Sequence, residues 1–391
     1  MNNDKLSRRS FIRKASVVTA GTIAGALTDK GQVSAKPLDT KTGIDTSKIL
    51  NYNPKMHYRR LGKTNMMISE VSLGGHWRAP WRDRTGGWWW GKSVKYGKVP
   101  DDIAKNRTEV VSKAIDCGMN YLDMTGSEEC LVFGLALKGR RDKMIAGADD
   151  SRLCPRHNEF CNVKAQIYNV EQCLRNMGTD YLDIWRIQAK MDGTNIDADV
   201  EVMIETFRKL HKAGKVRHLG ISTHSRPWTQ HVIEKFPQVE MFIFPCTART
   251  KEKSKAPTRD NIEERNAGYG PETKSVFQSL RDNDVGLITI KPFFGGGLLK
   301  SHNKIKTGPP DKEDNDLAKL TLQCILNLSD VVTAVIPGLS TVYEVENAAM
   351  ASYVRPLGQT AADKEWLLRM TSERWAAVPQ EYAWLRDWEI V

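Results

Sequence analysis

The sequence predicts an α/β chain folded as a (β/α)8 barrel. Eight short apolar runs recur between residues 71 and 336, with helix-period segments between them. That span suits a barrel, which typically takes ~250 residues. No Gly-x-Gly-x-x-Gly follows the first run, which argues against a doubly wound dinucleotide-binding sheet. The predicted strands are Val71–Leu73, Tyr121–Met124, Met144–Ala148, Tyr181–Trp185, Leu219–Ser222, Met241–Phe244, Val285–Ile290 and Val331–Ile336. The predicted helices include Asn106–Cys117, Val170–Met177, Val200–Ala213 and Pro227–Lys235, where apolar residues recur three and four apart, as Val110, Val111, Ala114 and Ile115 do. In a barrel the chemistry belongs to the C-terminal strand ends and the loops after them.

The 391 residues carry 58 Lys and Arg against 47 Asp and Glu, a formal charge of +11, with 40% hydrophobic and 27% charged residues. This balance excludes a disordered or collagen-like chain. No apolar run approaches the ~18 residues that span a bilayer. Part of the positive excess is an address. Ser7-Arg8-Arg9-Ser10-Phe11-Ile12-Arg13-Lys14 precedes a mild apolar stretch, Ala15 to Leu27, and then Val33-Ser34-Ala35. This order of basic, apolar and small residues resembles a twin-arginine export signal over residues 1–35. It predicts the twin-arginine machinery as a partner and a periplasmic or other extracytoplasmic destination. Cleavage after Ala35 removes six basic and two acidic residues and leaves +7. No Lys/Arg cluster with interleaved aromatics defines a nucleic-acid groove. Residues 36–55, with Pro37 and Pro54, read as a linker, 56–350 as the barrel and 351–391 as a helical tail packed on it.

Of the seven cysteines, Cys154 and Cys161 stand apart, since they flank a polar stretch from Pro155 to Phe160. They read either as a disulfide closing that loop or as two thiols. With His157 they make only three metal ligands, so no metal site is predicted.

Several segments carry a family likeness. Tyr58-Arg-Arg-Leu-Gly-Lys-Thr64 precedes Ile68-Ser-Glu-Val-Ser-Leu-Gly-Gly75. Further on come Ala114-Ile-Asp-Cys-Gly-Met-Asn-Tyr-Leu-Asp123, Gly178-Thr-Asp-Tyr-Leu-Asp-Ile184, Ala213-Gly-Lys-Val-Arg-His-Leu-Gly-Ile-Ser222 and Val335-Ile-Pro-Gly338. In this order the series resembles the aldo/keto reductases over roughly residues 56–350. The resemblance implies a barrel preceded by a hairpin and an oxidoreductase using NAD or NADP. It also implies a Tyr that passes a proton to the carbonyl oxygen, tuned by a Lys and an Asp, with a His that orients the substrate.

The Asp falls on Asp123. No Tyr follows in Met-Thr-Gly-Ser-Glu-Glu-Cys130; the Lys position holds Asp149 and the His position holds Gln188. Gln188 can hydrogen-bond a substrate but cannot carry a proton. Asp123 and Asp149 would be like charges near one another, so one titrates high, and the two read either as a different acid/base pair or as only a polar pocket. His76 and Lys291 complete the candidate catalytic set.

On the cofactor side, the resemblance places Ser222 and Thr223 against the nicotinamide amide. Ile243 and Cys246 stand where a Gln and an aromatic residue would stack on the ring. Lys291, Gly338, Ser340, Glu346 and Asn347 fall along the rest of the nucleotide. The segment Leu339 to Tyr343 has no Arg or Lys to pair a 2′-phosphate, so NADP preference is not supported. Lys291-Pro292 with Gly295–Gly297 resembles a branch whose tail binds an iron–sulfur cluster, but residues 351–391 contain no Cys, so no cluster is expected.

A tryptophan-rich stretch between the first strand and first helix holds His76, Trp77, Trp81, Trp88, Trp89 and Trp90. It belongs at the mouth of the barrel. Its rings read either as a stacking surface for a sugar-like substrate or as a lid packed on itself. Two functions follow. One is an exported oxidoreductase acting on a polar, sugar-like carbonyl or alcohol with non-standard acid/base residues. The other is a non-catalytic barrel that binds a small molecule or partner through the Trp-rich loop.

Overall fold

The computed structural model describes residues 45–75, 98–252, 275–300, 311–354, 357, 360–376, 378 and 380–387. The predicted leader, the Trp-rich stretch with His76, Trp77, Trp81, Trp88, Trp89 and Trp90, and most of the loops after the sixth and seventh barrel strands lie outside the described residues. The described residues from Ser47 onward form one compact unit.

A short antiparallel hairpin comes first, β1 (Tyr58–Arg60) and β2 (Met67–Ser69). Eight parallel strands then follow in chain order: β3 (Leu73–Gly74), β4 (Tyr121–Met124), β5 (Ile145–Ala148), β6 (Leu182–Gln188), β7 (Val216–Ser222), β8 (Met241–Pro245), β9 (Gly286–Ile290) and β10 (Val332–Ile336). Val71 bridges Val335 in parallel, which brings the last strand back to the first. The predicted (β/α)8 barrel is the fold observed.

Alternation along the strands makes two cores. Inside the barrel pack Tyr121, Ile145, Ile184, Met241, Ile243, Ile288, Ala334 and Ile336, with Leu61 and Ile68 of the hairpin closing the lower end. Between sheet and helices lies the larger apolar layer, which includes the fully buried Trp185 and Trp228.

The helices are α1 (Asp101–Asp116), α2 (Ser127–Ala136), α3 (Val163–Met177), α4 (Asp197–Lys212), α5 (Arg226–Lys235), α6 (Val276–Asp282), α7 (Lys312–Leu326) and α8 (Val342–Tyr353). Their caps are local. Asn162 accepts from the Ala165 amide at the start of α3, and Gly178 ends that helix in the left-handed region. A tail helix, α9 (Ala361–Trp375), and a 3-10 segment, Gln380–Asp387, follow. Leu367, Met370, Tyr382 and Leu385 of this tail pack with Phe294, Leu298 and Leu317 of the barrel. Trp375 meets Phe294 edge-on at 4.6 Å.

Two expectations need correction. Residues 47–55 are not linker. Asn51 Nδ2 donates to the carbonyls of Met119 (3.0 Å) and Lys143 (2.6 Å), and Tyr58 Oη donates to the Asn51 carbonyl at 3.1 Å. This stretch therefore ties down the lower rim of the barrel. All seven cysteines are free. Cys154 Sγ donates to the Ser151 carbonyl at 3.3 Å, and Cys161 turns toward the Pro155 carbonyl, so the disulfide reading is not realised. Among the described residues no helix is long and apolar enough to cross a membrane, and no cluster of His, Cys, Asp and Glu could hold a metal ion.

Candidate functional site

A cavity of about 640 Å³ opens at the C-terminal ends of the strands. Strand alternation explains its floor. On β4 the inner face carries Tyr121 and then Asp123, and on β6 it carries Ile184, Arg186 and Gln188. Between them β5 contributes Gly147, paired with Asp123 on one side and Ile184 on the other. A Cβ at Gly147 would come within 2.4 Å of Tyr121 Oη, so only glycine leaves that space. Arg186 reaches past it to Asp123, Nε to Oδ1 at 2.8 Å, and its Nη2 donates to the Met124 carbonyl at 2.8 Å. Tyr121 Oη donates to the same carboxylate at 3.2 Å. Burial raises the Asp123 pKa against the pull of Arg186. Arg186 is itself held charged: burial lowers its pKa, but Asp123 and its neighbours outweigh that.

Asp149 takes a different place from the one expected. It is not among the described residues lining the cavity, and it does not pair with Asp123. Its carboxylate accepts from the Gln188 amide (2.9 Å), Asn169 Nδ2 (2.8 Å) and Trp185 Nε1 (3.4 Å). These bonds bind the end of β5 to β6 and α3. Burial still pushes its pKa up to about 7. Gln188 does line the cavity, with its Nε2 near the Thr125 and Asp149 carbonyls at 3.3 and 3.2 Å.

The cavity holds an acid that sequence reasoning missed. Only Thr125 and Gly126 separate β4 from α2, so the position five residues past Asp123 is Glu128 in the first helical turn. Next to it Glu129 is buried yet lines the cavity. Its carboxyl accepts from the Thr125 amide at 2.5 Å and from Thr125 Oγ1 at 3.1 Å. Burial raises its pKa to about 8, with Asp123 adding to the rise. Gly75 makes room for this carboxyl, since any Cβ there would overlap it. An acid in the first turn of a helix reads from sequence as a favourable partner of the helix dipole, which hides a buried one.

The cofactor-side residues divide. Ser222, Lys291, Gly338, Ser340 and Asn347 line the cavity. Lys291 has a left-handed backbone (φ 66°), and its ammonium lies 5.0 Å from the centre of the Tyr382 ring. Thr223 is turned away: it is buried and its hydroxyl donates to the Lys190 carbonyl at 2.9 Å. Glu346 is exposed and paired with Lys113 at 2.8 Å, so it does not face the cavity. The acid there is Glu344, whose Oε2 accepts from the amides of Ser340 (2.6 Å) and Thr341 (3.2 Å). Buried Arg107 braces the same turn by donating to the Leu339 and Ser340 carbonyls, each at 2.8 Å. The tail adds Tyr382 and Trp384 to the cavity wall, and Trp384 stacks on His224 with ring centres 4.0 Å apart.

Comparison with known proteins adds the family. The sequence model of the aldo/keto reductase family matches residues 85–364. Aldo-keto reductase YhdN of Bacillus subtilis (strain 168) is 28% identical over 180 residues, 44% of this chain and 48% of its own length. The uncharacterized oxidoreductase YqkF of the same organism is 28% identical over 178 residues, 43% of this chain and 49% of its own. The chain thus spans about half the length of these curated relatives. Among solved structures, the holo form of aldo-keto reductase AKR11C1 from Bacillus halodurans superposes with a TM-score of 0.55 at 20% identity, covering 81% of this chain and 96% of that one. An aldo-keto reductase from Klebsiella pneumoniae in complex with NADPH superposes with a TM-score of 0.53 at 15% identity, covering 83% and 96%. These superpositions concern the fold, and the family match extends over most of the barrel and into the tail helix. The chain belongs to the aldo/keto reductase family of oxidoreductases.

Proposed function

We propose that this protein is an exported, nicotinamide-dependent oxidoreductase of polar carbonyl or alcohol compounds, with Glu129 as the proton-transferring group. The observation that carries this is the place of Glu129, a buried carboxyl on the wall of the cavity that also holds Asp123, Arg186 and Gln188, where burial raises its pKa to about 8. The chemistry of the lining fits a dinucleotide. Ser222 and Gln188 offer polar groups at the strand ends, Lys291 a cation, and Gly338, Ser340 and Asn347 a polar far end. A bound nicotinamide supplies or accepts the hydride. Glu129 gives its proton to the carbonyl oxygen in reduction and takes it back in oxidation. The Asp123–Arg186 pair keeps a fixed dipole beside that exchange, and Gln188 orients the oxygen by hydrogen bonding.

Glu344 decides which dinucleotide suits the site. Its carboxylate occupies the amides of Ser340 and Thr341, where a 2′-phosphate would have to compete with it. A carboxylate near the adenosine ribose favours a 2′-hydroxyl. Calorimetric titration of the purified chain is expected to show NAD binding roughly tenfold or more tightly than NADP. Glu344→Gln is expected to narrow that ratio, and tighter NADP binding by the wild type would refute the assignment.

Export rests on the Arg8-Arg9 motif and the residues after it up to Ala35. Replacing both arginines by lysine is expected to hold the protein inside the cell. Unchanged secretion would remove the twin-arginine route.

A further inference from the structure

We infer that Arg156 and His224 form a receptor for a carboxylate carried by the substrate. This deepens the reading of the cavity as a substrate site and rests on it.

Among the described residues four Lys and Arg side chains line the cavity, and they are not equivalent. Arg186 is taken up by Asp123, and Arg152 by Glu128 and Asp150 at 2.6 and 2.8 Å. Lys291 lies against Tyr382. Arg156 makes no ion pair among the described residues. Its Nε donates to the Ala189 carbonyl at 3.2 Å, just past the end of β6, which orients the guanidinium at the cavity wall. Burial lowers its pKa, and although the Asp149 carboxyl acts on it from a distance, no carboxylate pairs with it directly among the described residues. Such a charge is costly unless a ligand supplies the opposite one.

His224, just past β7, lines the same cavity. Burial depresses its pKa, and the charges of Arg156 and Lys291 depress it further. These effects favour the neutral imidazole, which stacks on Trp384 and lines the same cavity as the Arg156 guanidinium. A planar guanidinium fork and a ring N–H that share one cavity can together take the two oxygens of a carboxylate. His224 lies two residues past Ser222, at the nicotinamide end of the cavity, and Arg156 stands apart from the far end of the dinucleotide. Arg156 comes from the loop after β5 and is fixed to the end of β6, whereas Lys291, Gly338 and Ser340 lie beyond β9 and β10 on the other side of the barrel. A carboxylate held here leaves the other end of a small carbonyl compound directed along the strand ends toward Gln188 and Glu129.

The test uses the purified full chain and three probes of one shape: 4-carboxybenzaldehyde, its neutral amide 4-formylbenzamide, and 4-formylphenyl phosphate. Binding is followed by calorimetry without nucleotide, so failure to bind NAD would not touch the result, and failure here would leave NAD binding intact. The carboxylate is expected to bind about 10-fold or more tightly than the amide. Arg156→Gln is expected to erase that preference, and Arg156→Lys to retain part of it. Equal affinity for acid and amide, or a preference that survives Arg156→Gln, overturns the assignment. So does tightest binding of the phosphate. If Arg156→Gln fails to fold, the wild-type preference for the acid and its retention in Arg156→Lys decide the matter.

Discussion

Glu129→Gln is expected to stabilise the protein while removing its turnover. The carboxyl is buried, and its pKa in the folded chain is about 8 against an ordinary 4.5. Below pH ~4.5 folded and unfolded chains both hold the proton, and the group contributes nothing to pH dependence. Between ~4.5 and ~8 the unfolded chain releases a proton that the folded chain keeps, so stability falls as pH rises; above ~8 the loss is complete. Gln keeps the shape and an oxygen for the Thr125 amide but has no charge to bury. Denaturant unfolding at pH 9 should show the variant more stable by on the order of 3 kcal/mol, with little difference at pH 4. Asp149 contributes in the same direction up to pH ~7, so some slope remains in the variant. Turnover should drop by ~10²–10⁴, the usual worth of a positioned proton donor. A variant no more stable at pH 9 than at pH 4, relative to wild type, would show that Glu129 is ionised in the folded chain.

Arg186→Leu is expected to be among the most destabilising single changes in the barrel. It leaves the buried Asp123 carboxyl with the Tyr121 hydroxyl as its hydrogen-bond donor among the described residues and with the weaker, more distant charge of Lys291. Breaking one half of a buried pair costs ~3–5 kcal/mol. Removing both halves together, Arg186→Leu with Asp123→Leu, is expected to recover a large part of that loss, because no buried charge is then left without its partner. Chemical denaturation of the two variants checks both statements. A loss under about 1 kcal/mol for Arg186→Leu would mean that the pair is not the electrostatic anchor of the site.

The barrel was legible because each strand is an apolar run ended by a change of period. Tyr121–Met124 matches its predicted bounds, and the other strands differ at their ends. The difference at β6 is instructive. The run was read as ending at Trp185, yet the strand continues through Arg186 and Gln188. Those polar residues look like loop in one dimension, but their alternation with Trp185 and Ile187 turns them into the barrel mouth. The site was legible only where a family position coincides with a strand end, as for Asp123, Gln188 and Ser222. Asp149 occupies a position that the resemblance gives to a Lys, and sequence alone places a second negative charge beside Asp123. In three dimensions the cation comes from the neighbouring strand, as Arg186, across the gap left by Gly147. Glu129, His224 and Arg156 were missed for the same reason. Each is an ordinary helix or loop residue until the fold brings it to one cavity.

The proposed role of Glu129 is to transfer a proton in step with a nicotinamide hydride. The most direct measurement is the single-turnover oxidation of bound NADH by 4-carboxybenzaldehyde, followed by loss of nicotinamide fluorescence from pH 5 to pH 10. The rate is expected to be flat at low pH and to fall as pH rises through ~8, where the Glu129 proton is lost, with no such step in Glu129→Gln. A wild-type rate that does not change through that range, or one equally fast in Glu129→Gln, would contradict it.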